Sequence, residues 1–334
     1  MQIGMIGLGR MGSNMVRRLQ KFGHRCVVYD QSEGAARALS DVGATAAASP
    51  ADLVAKLSAP RVVWIMIPAG AVDALLATLR PQLRSGDIVI DGGNSHYVDD
   101  IRRAKELAPL GVRYLDVGTS GGLWGLERGY CLMIGGDTPA VQLVEPVLAA
   151  LSSDAPAKAG TGSTAPNGYL HVGPSGAGHF VKMIHNGIEY GLMAAYAEGF
   201  NILHRISGES AAPVIDAETA PSALPTHGFE FKLDEIAELW RHGSVVSSWL
   251  LDLLAGQLAS NAGLEQFAGR VADSGEGRWT VQTAVDAGVP VPVLATALFA
   301  RFSSRGEAEF ANRMLSAMRL GFGGHQERPA GAAP

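Results

Sequence analysis

Lys182, His185, Asn186 and Glu189 stand at i, i+3, i+4 and i+7 in the stretch 176–191, Gly-Ala-Gly-His-Phe-Val-Lys-Met-Ile-His-Asn-Gly-Ile-Glu-Tyr-Gly. On a helix these four share an arc of roughly 100°. Val181, Ile184, Ile188 and Leu192 fall on the opposite side. A solvated polar face would use the same residue types. Two features argue for more: no other charge decorates the face, and Gly176, Gly178, Gly187 and Gly191 invite close packing. A lysine and a glutamate two turns apart, facing a cleft, could serve as general base and general acid.

The elements that would position this face begin at the N-terminus. Residues 2–7 read as a buried strand, followed by Gly7-Leu8-Gly9-Arg10-Met11-Gly12, a helical run 13–21 and a second strand 26–30 ending in Asp30. A G-x-G-x-x-G between strand and helix, with an acid closing the next strand, is a dinucleotide-binding signature. The glycines allow a tight turn and close approach of a pyrophosphate, and the helix N-terminus supplies N–H groups. Asp30 would accept hydrogen bonds from the adenine ribose hydroxyls and repel a 2′-phosphate. Gln31-Ser32 offers no arginine to reverse that, so NAD is expected and NADP disfavoured.

Alternation continues with helices near 33–41 and 50–57, strand 61–67, a helix 70–79 opened by Pro68-Ala69-Gly70, strand 87–91, helix 96–109, strands 112–117 and 129–135, and helix 138–151. This predicts an α/β, Rossmann-like, doubly wound parallel sheet whose ligands lie at the carboxyl ends of strands, where Gly7, Pro68 and Asn94 sit. Asn94 could equally be an N-cap or turn residue. Ser120-Gly121-Gly122 offers a hydroxyl and open backbone N–H groups suited to a carboxylate, or a plain loop.

The Ser/Ala/Gly/Pro-rich segment 152–175 breaks the alternation. It places a domain boundary between a dinucleotide-binding domain, 1–175, and an all-α domain, 176–325, with a disordered tail at 326–334. In the second domain, helices are expected over 176–206, 232–241, 246–260, 278–287, 293–304 and 307–320, with a turn-rich stretch at 219–230. Asp273 to Thr280 would form an anion cradle or an interhelix loop. Arg319-Leu320-Gly321-Phe322-Gly323-Gly324-His325 is too glycine-rich to continue a helix and should run extended.

Composition excludes several classes. The chain has 334 residues, 47% hydrophobic and 18% charged, with a net charge of −5, so no basic field favours nucleic acid or an anionic membrane. Cys26 and Cys131 lie in apolar runs and no C-x-x-C or H-E-x-x-H occurs, so no protein metal site is expected. Met1 leads straight into a strand, and no apolar run reaches the length of a membrane span, which predicts a cytoplasmic protein.

Taken in order, Gly7–Gly12, Asp91–Ser95, Ser120–Gly122, Lys182–Tyr190, Ser274–Thr280 and Arg319–His325 resemble the 6-phosphogluconate dehydrogenases, from residue 1 to about 325, in their short bacterial form. The wider family is the β-hydroxyacid dehydrogenases. Leu123-Trp124 stand where the long form usually has two acids after Ser-Gly-Gly.

The resemblance implies oxidative decarboxylation of 6-phospho-D-gluconate to D-ribulose 5-phosphate. Lys182 would take the C3 hydroxyl proton. Glu189 would protonate C1 of the enediol. His185 and Asn186 would hold substrate hydroxyls; Asn94, Ser120, Gly121 and Gly122 would bind near the carboxylate and C2–C3. Tyr190, Arg278, Thr280, Arg301, Arg319 and His325 would grip the phosphate. In the family the last two come from a neighbouring subunit, which implies at least a dimer with a shared active site. A relative acting on a small unphosphorylated hydroxy acid would not need the three arginines and His325 together. A non-catalytic dinucleotide sensor should have lost Lys182 or Glu189.

Overall fold

The computed structural model describes residues 1–152, 162–207 and 229–324. His325, the tail 326–334 and most of 219–230 lie outside the described residues. The chain forms two compact units, Met1–His185 and Asn186–Pro334.

In the first unit, eight strands form one sheet in the order β3-β2-β1-β4-β5-β6-β7-β8. They are β1 (Gln2–Ile6), β2 (Arg25–Tyr29), β3 (Thr45–Ala46), β4 (Val62–Ile65), β5 (Ile88–Asp91), β6 (Arg113–Ser120), β7 (Cys131–Gly135) and β8 (Tyr169–Gly173). The helices between them are α1 (Arg10–Lys21), α2 (Glu33–Ser40), α3 (Pro50–Ala55), α4 (Ala69–Leu79), α5 (Tyr97–Leu107), α6 (Gly125–Arg128) and α7 (Thr138–Leu151). Alternate side chains of one strand enter different cores. Ile3, Val62, Trp64, Ile88, Ile90, Leu115 and Val117 pack on one face. Ile6, Val63, Ile65, Val89 and Tyr114 pack on the other. Helices therefore cover both faces, and each fully buried Val, Leu or Ile contributes about 1.5–3 kcal/mol before the cost of ordering the chain.

The sheet is parallel except for the antiparallel pair β6–β7. Only the short segment with the single-turn α6 joins those two strands, and a parallel crossover needs a dozen or more residues. β8, inside the stretch expected to be irregular, adds a strand beside β7. The sheet thus extends almost to α8 (Ala177–Ile206), and the division between the units falls inside that helix rather than at 175–176.

The second unit continues along α8 and adds α9 (Leu233–Arg241), α10 (Trp249–Ser260), α11 (Glu276–Asp286), α12 (Pro292–Ser304) and α13 (Glu309–Gly323). Ser248 caps α10 by accepting a hydrogen bond from the Leu251 N–H, which explains its start. Phe200, Ala237, Leu251, Ala255 and Leu258 form one core; Tyr190, Ala297 and Leu298 form a smaller one.

The expectation of an extended segment after Arg319 is corrected: α13 runs through Gly321 and Gly323 and stops at Gly324, whose φ is +71°. A glycine costs about 1 kcal/mol in a helix interior, too little to break one whose other residues propagate it. The left-handed conformation of Gly324 is what ends it. No described helix is long and apolar enough to cross a membrane.

Candidate active site

At the carboxyl ends of β1 and β4, where the strand order reverses, lies a cleft of about 740 Å3 lined by Gly7, Gly9, Tyr29, Asp30, Pro68 and Thr78, among others. Gly7 has φ +95°, and a Cβ there would come within 2.4 Å of the Met66 carbonyl oxygen. A Cβ on Gly12 would meet the Gly7 oxygen at 2.0 Å. Those two glycines are demanded by the turn itself. Gly9 is different: a Cβ there would meet nothing within 4 Å, so its bareness leaves space that an approaching pyrophosphate can use. Arg10 and Met11 open α1 beside it, after Leu8. Asp30 accepts the Leu8 N–H on Oδ2 at 2.6 Å and the Ser32 N–H on Oδ1 at 2.8 Å. Each carboxylate oxygen keeps a lone pair for a ribose hydroxyl. The residues present fit a dinucleotide.

Asn94, beyond the end of β5, accepts a hydrogen bond from Lys182 Nζ at 2.5 Å. Lys182 is buried. Ser120, the last residue of β6, lies with Oγ 3.3 Å from His185 Nε2. Gly121 and Gly122 follow with φ +134° and +54°. The first turns of α8 sit tightly on the sheet because three glycines permit it. A Cβ on Gly118 would lie 2.4 Å from Lys182 Cβ, and one on Gly178 would lie 2.5 Å from the Asp116 and Met133 carbonyl oxygens. A Cβ on Gly135 would meet Asp116 Oδ1, also at 2.5 Å.

Behind these residues runs a buried polar network that sequence reasoning missed. Asp116 accepts the N–H groups of Gly176 at 2.6 Å and His179 at 2.9 Å, capping α8. His179 Nδ1 lies 2.7 Å from Asp100 Oδ2. Tyr114 OH donates to Asp100 Oδ1 at 2.8 Å and lies 3.2 Å from Asp91 Oδ2. Asp91 Oδ2 also accepts from Ser95 Oγ at 2.7 Å and Arg103 Nη1 at 3.2 Å.

Burial alone would lower the pKa of His179, but the charge of Asp100 and its hydrogen bond, with Asp91 and Asp116 nearby, raise it to about 9. Burial raises the pKa of Asp116. Asp100, Asp116 and His179 are clustered closely enough to suggest a metal site. Their inward-facing atoms are already spent on one another, on Tyr114 and on backbone N–H groups, as in an ion-paired network.

The spacing did hold a signal, since His179 is three residues before Lys182 on the same face. Asp116 interrupts the run Tyr114-Leu115-Asp116-Val117 in the middle of β6. Nothing in the local sequence marks Asp100.

In the second unit, Asn186 Nδ2 donates to Glu276 Oε1 at 2.7 Å, and Ser274 Oγ to Glu276 Oε2 at 2.6 Å. Gly187 lets Thr280 pack closely, its absent Cβ being 2.8 Å from Thr280 Cγ2. Ser274 N–H donates to Tyr190 OH at 3.2 Å. The Arg301 guanidinium lies over the Tyr190 ring at 3.5 Å and donates to the Ala272 carbonyl oxygen at 2.7 Å.

Arg278 makes a two-point contact with Asp273, at 2.7 and 3.1 Å, and Arg305 donates to the same carboxylate at 2.7 Å. The hydrogen bond from Arg278, with that from Arg305, holds Asp273 well below the usual carboxylate range. Tyr190, Arg278, Thr280 and Arg301 thus meet around the turn that opens α11. Asp273, Glu276 and Arg305 join them in roles that were not foreseen, although Asp273 and Glu276 lie inside the singled-out stretch. Glu189 is half-buried on α8, and Arg319 is exposed on α13. An apolar groove of about 560 Å3, lined in part by Met193, Phe200 and Leu254, holds none of the expected site residues.

The two faces of α8 are not buried as amphipathicity suggests. Lys182, Met183 and Tyr190 are buried, whereas Val181, Ile188 and Leu192 are 39–51% exposed. The polar face is not a solvated one.

Known proteins similar to this chain point to one family. The model for the NAD binding domain of 6-phosphogluconate dehydrogenase matches residues 2–170, and that for the 6-phosphogluconate dehydrogenase C-terminal domain matches 178–217. The chain is 41% identical to an NAD(+)-dependent, decarboxylating 6-phosphogluconate dehydrogenase of Haloferax volcanii, covering 98% of each chain. It is 34% identical to an NADP(+)-dependent one of Bacillus subtilis, over 92% of this chain and 62% of that one. The solved Plasmodium falciparum 6-phosphogluconate dehydrogenase, studied with NADP+ and with 6-phosphogluconate, superposes with a TM-score of 0.76. It is 26% identical, covering all of this chain and 67% of that one.

Proposed function

The chain belongs to the 6-phosphogluconate dehydrogenase family, and from that premise we propose that it converts 6-phospho-D-gluconate to D-ribulose 5-phosphate and CO2, with NAD as the preferred oxidant. The observation that carries the reading is buried Lys182, bonded to Asn94 just beyond the carboxyl end of β5. A bound dinucleotide would supply the hydride acceptor. Lys182 takes the proton of the C3 hydroxyl as the C3–H bond gives up its hydride. The resulting β-keto acid loses its carboxylate as CO2, and the electron pair of the broken C1–C2 bond moves towards the C3 carbonyl. Lys182, now protonated, polarises that carbonyl. Glu189 then protonates the enediol at the carbon that becomes C1 of the product.

Ser120, the Gly121–Gly122 backbone and Asn94 suit the carboxylate end, and His185 and Asn186 suit the hydroxyls. Tyr190, Arg278, Thr280 and Arg301 suit the phosphate, with Arg319 and His325 reaching it from a partner subunit. The paired arginines support a phosphorylated substrate over a small hydroxy acid.

Asp30, fixed by Leu8 and Ser32 N–H groups and followed by Gln31, supports NAD over NADP. Exposed Val181, Ile188 and Leu192 on α8 support at least a dimer, as do Phe310, Met314, Leu315, Met318 and Phe322 on α13. The proposed compartment is the cytoplasm.

The test is an assay of NAD and NADP reduction with 6-phosphogluconate and capture of released CO2. Equal amounts of reduced NAD and CO2 are expected. Dinucleotide reduction by some other hydroxy acid, with none by 6-phosphogluconate, would overturn the substrate. Equal efficiency with NADP would overturn the reading of Asp30.

A further inference from the structure

We propose that His179 is a positioning residue, whose hydrogen bond to Asp100 holds the first turn of α8 so that Lys182 meets Asn94. This rests on the role given to Lys182 above. The hydrogen bonds form a closed circuit. Lys182 Nζ reaches Asn94, and the next residue, Ser95, reaches Asp91. Tyr114 bridges Asp91 and Asp100. Asp100 takes His179 Nδ1, and one helical turn returns the circuit to Lys182. Asp91, Ser95, Asp100, Tyr114 and His179 are all at most 3% exposed, so water cannot readily replace a missing link.

His179 Nε2 finds no hydrogen-bond partner among the described residues, so Asp100 is the ring's hydrogen-bonding anchor. The groups facing the imidazole are Asp91 from β5, Asp100 and Arg103 from α5, and Tyr114 and Asp116 from β6. Three carboxylates outnumber the Arg103 guanidinium, and that surplus retains the imidazole proton.

The helix does not need this ring to form. Asp116 already caps its first N–H groups, and the approach permitted by Gly118, Gly135 and Gly178 is a backbone feature. Losing the ring therefore frees rotation and sliding of the first turn rather than unfolding it. A displacement of about 1 Å at a reacting group can cost about 10²-fold in rate.

The experiment compares wild type, His179→Leu, His179→Asn and Lys182→Met in the 6-phosphogluconate assay, with substrate carrying hydrogen or deuterium at C3. Asparagine can present a neutral N–H near the place of Nδ1; leucine cannot. For His179→Leu, kcat should fall about 10- to 100-fold. Its KM for NAD should stay within about twofold. The deuterium effect on kcat should grow as hydride transfer becomes slower than product release. His179→Asn should recover most of the loss.

Unchanged kcat in the leucine variant, or an asparagine variant as impaired as leucine, overturns the proposal. If the leucine variant does not fold, His179→Gln replaces it, carrying the donor one bond length farther out. Its kcat should fall, and a wild-type kcat overturns the proposal. If wild type releases no CO2, or Lys182→Met matches it, the reading of Lys182 has failed instead. With wild type active and Lys182→Met dead, the His179 variants judge the positioning role alone.

Discussion

Around Lys182 the polar groups are buried and tied to one another. Asp91, Asp100, Asp116, Arg103, Tyr114 and His179 share their hydrogen bonds in one network. Around Arg278, in the other unit, the arginines are more open: its side chain is 51% exposed and rests on Asp273, which Arg305 shares. Arg301 lies on an aromatic ring and a backbone carbonyl. Each arrangement suits its task. A group that must meet a reacting hydroxyl within a fraction of an ångström gains from neighbours that cannot move. Groups that must accept and release a dianion gain from being open to solvent on one side, and Asp273, only 3% exposed, keeps Arg305 as a partner when Arg278 turns to a ligand.

The sharpest break of this comparison is chemical. Lys182→Met should abolish dinucleotide reduction, with a loss at or beyond about 10⁴-fold, because the lysine serves in more than one step. Glu189→Gln should act later and lose about 10²-fold or more. Steady-state rates, with rapid-mixing measurement of the first turnover, separate the two. Near-normal reduction of NAD by Lys182→Met would remove the contrast altogether.

A smaller effect is expected in the open cluster. Arg301→Ala should raise KM for 6-phosphogluconate by about 10- to 100-fold, with kcat less affected and KM for NAD unchanged. A fall confined to kcat would show that this cluster also orders the reacting end.

At the dinucleotide cleft, Asp30→Gly combined with Gln31→Arg should shift the ratio of kcat/KM values towards NADP by at least about tenfold, by removing a like charge and adding an opposite one. Paired assays with the two dinucleotides read this out.

The mildest effect concerns stability. The folded-state pKa of His179, about 9, lies above its ordinary value of 6.5. Its contribution is therefore fully present below pH 6.5 and is lost as pH rises through about 9. The melting temperature of wild type should fall across that window by several degrees more than that of His179→Asn. Parallel melting curves for the two would show that the imidazole holds no extra proton in the fold.

Much of this protein is written locally in its sequence. Gly7 to Gly12 between a strand and a helix, Asp30 at the end of β2, and helices and strands in alternation all follow from turn sterics and hydrophobic period, which depend on near neighbours in the chain. The helical face of Lys182, His185, Asn186 and Glu189 is legible for the same reason. Local rules also misled: the glycines after Arg319 suggested a helix end, but propensity costs of about 1 kcal/mol were outweighed.

Only the tertiary structure decided which face of α8 is buried, that β6 and β7 are antiparallel, and that Asp100, Asp116 and His179 meet. Glu276 under Asn186, and Asp273 between two arginines, belong to the same class. These are contacts between residues as much as 90 positions apart. A buried carboxylate has no local signature, because what makes it tolerable is a partner that folding brings from elsewhere.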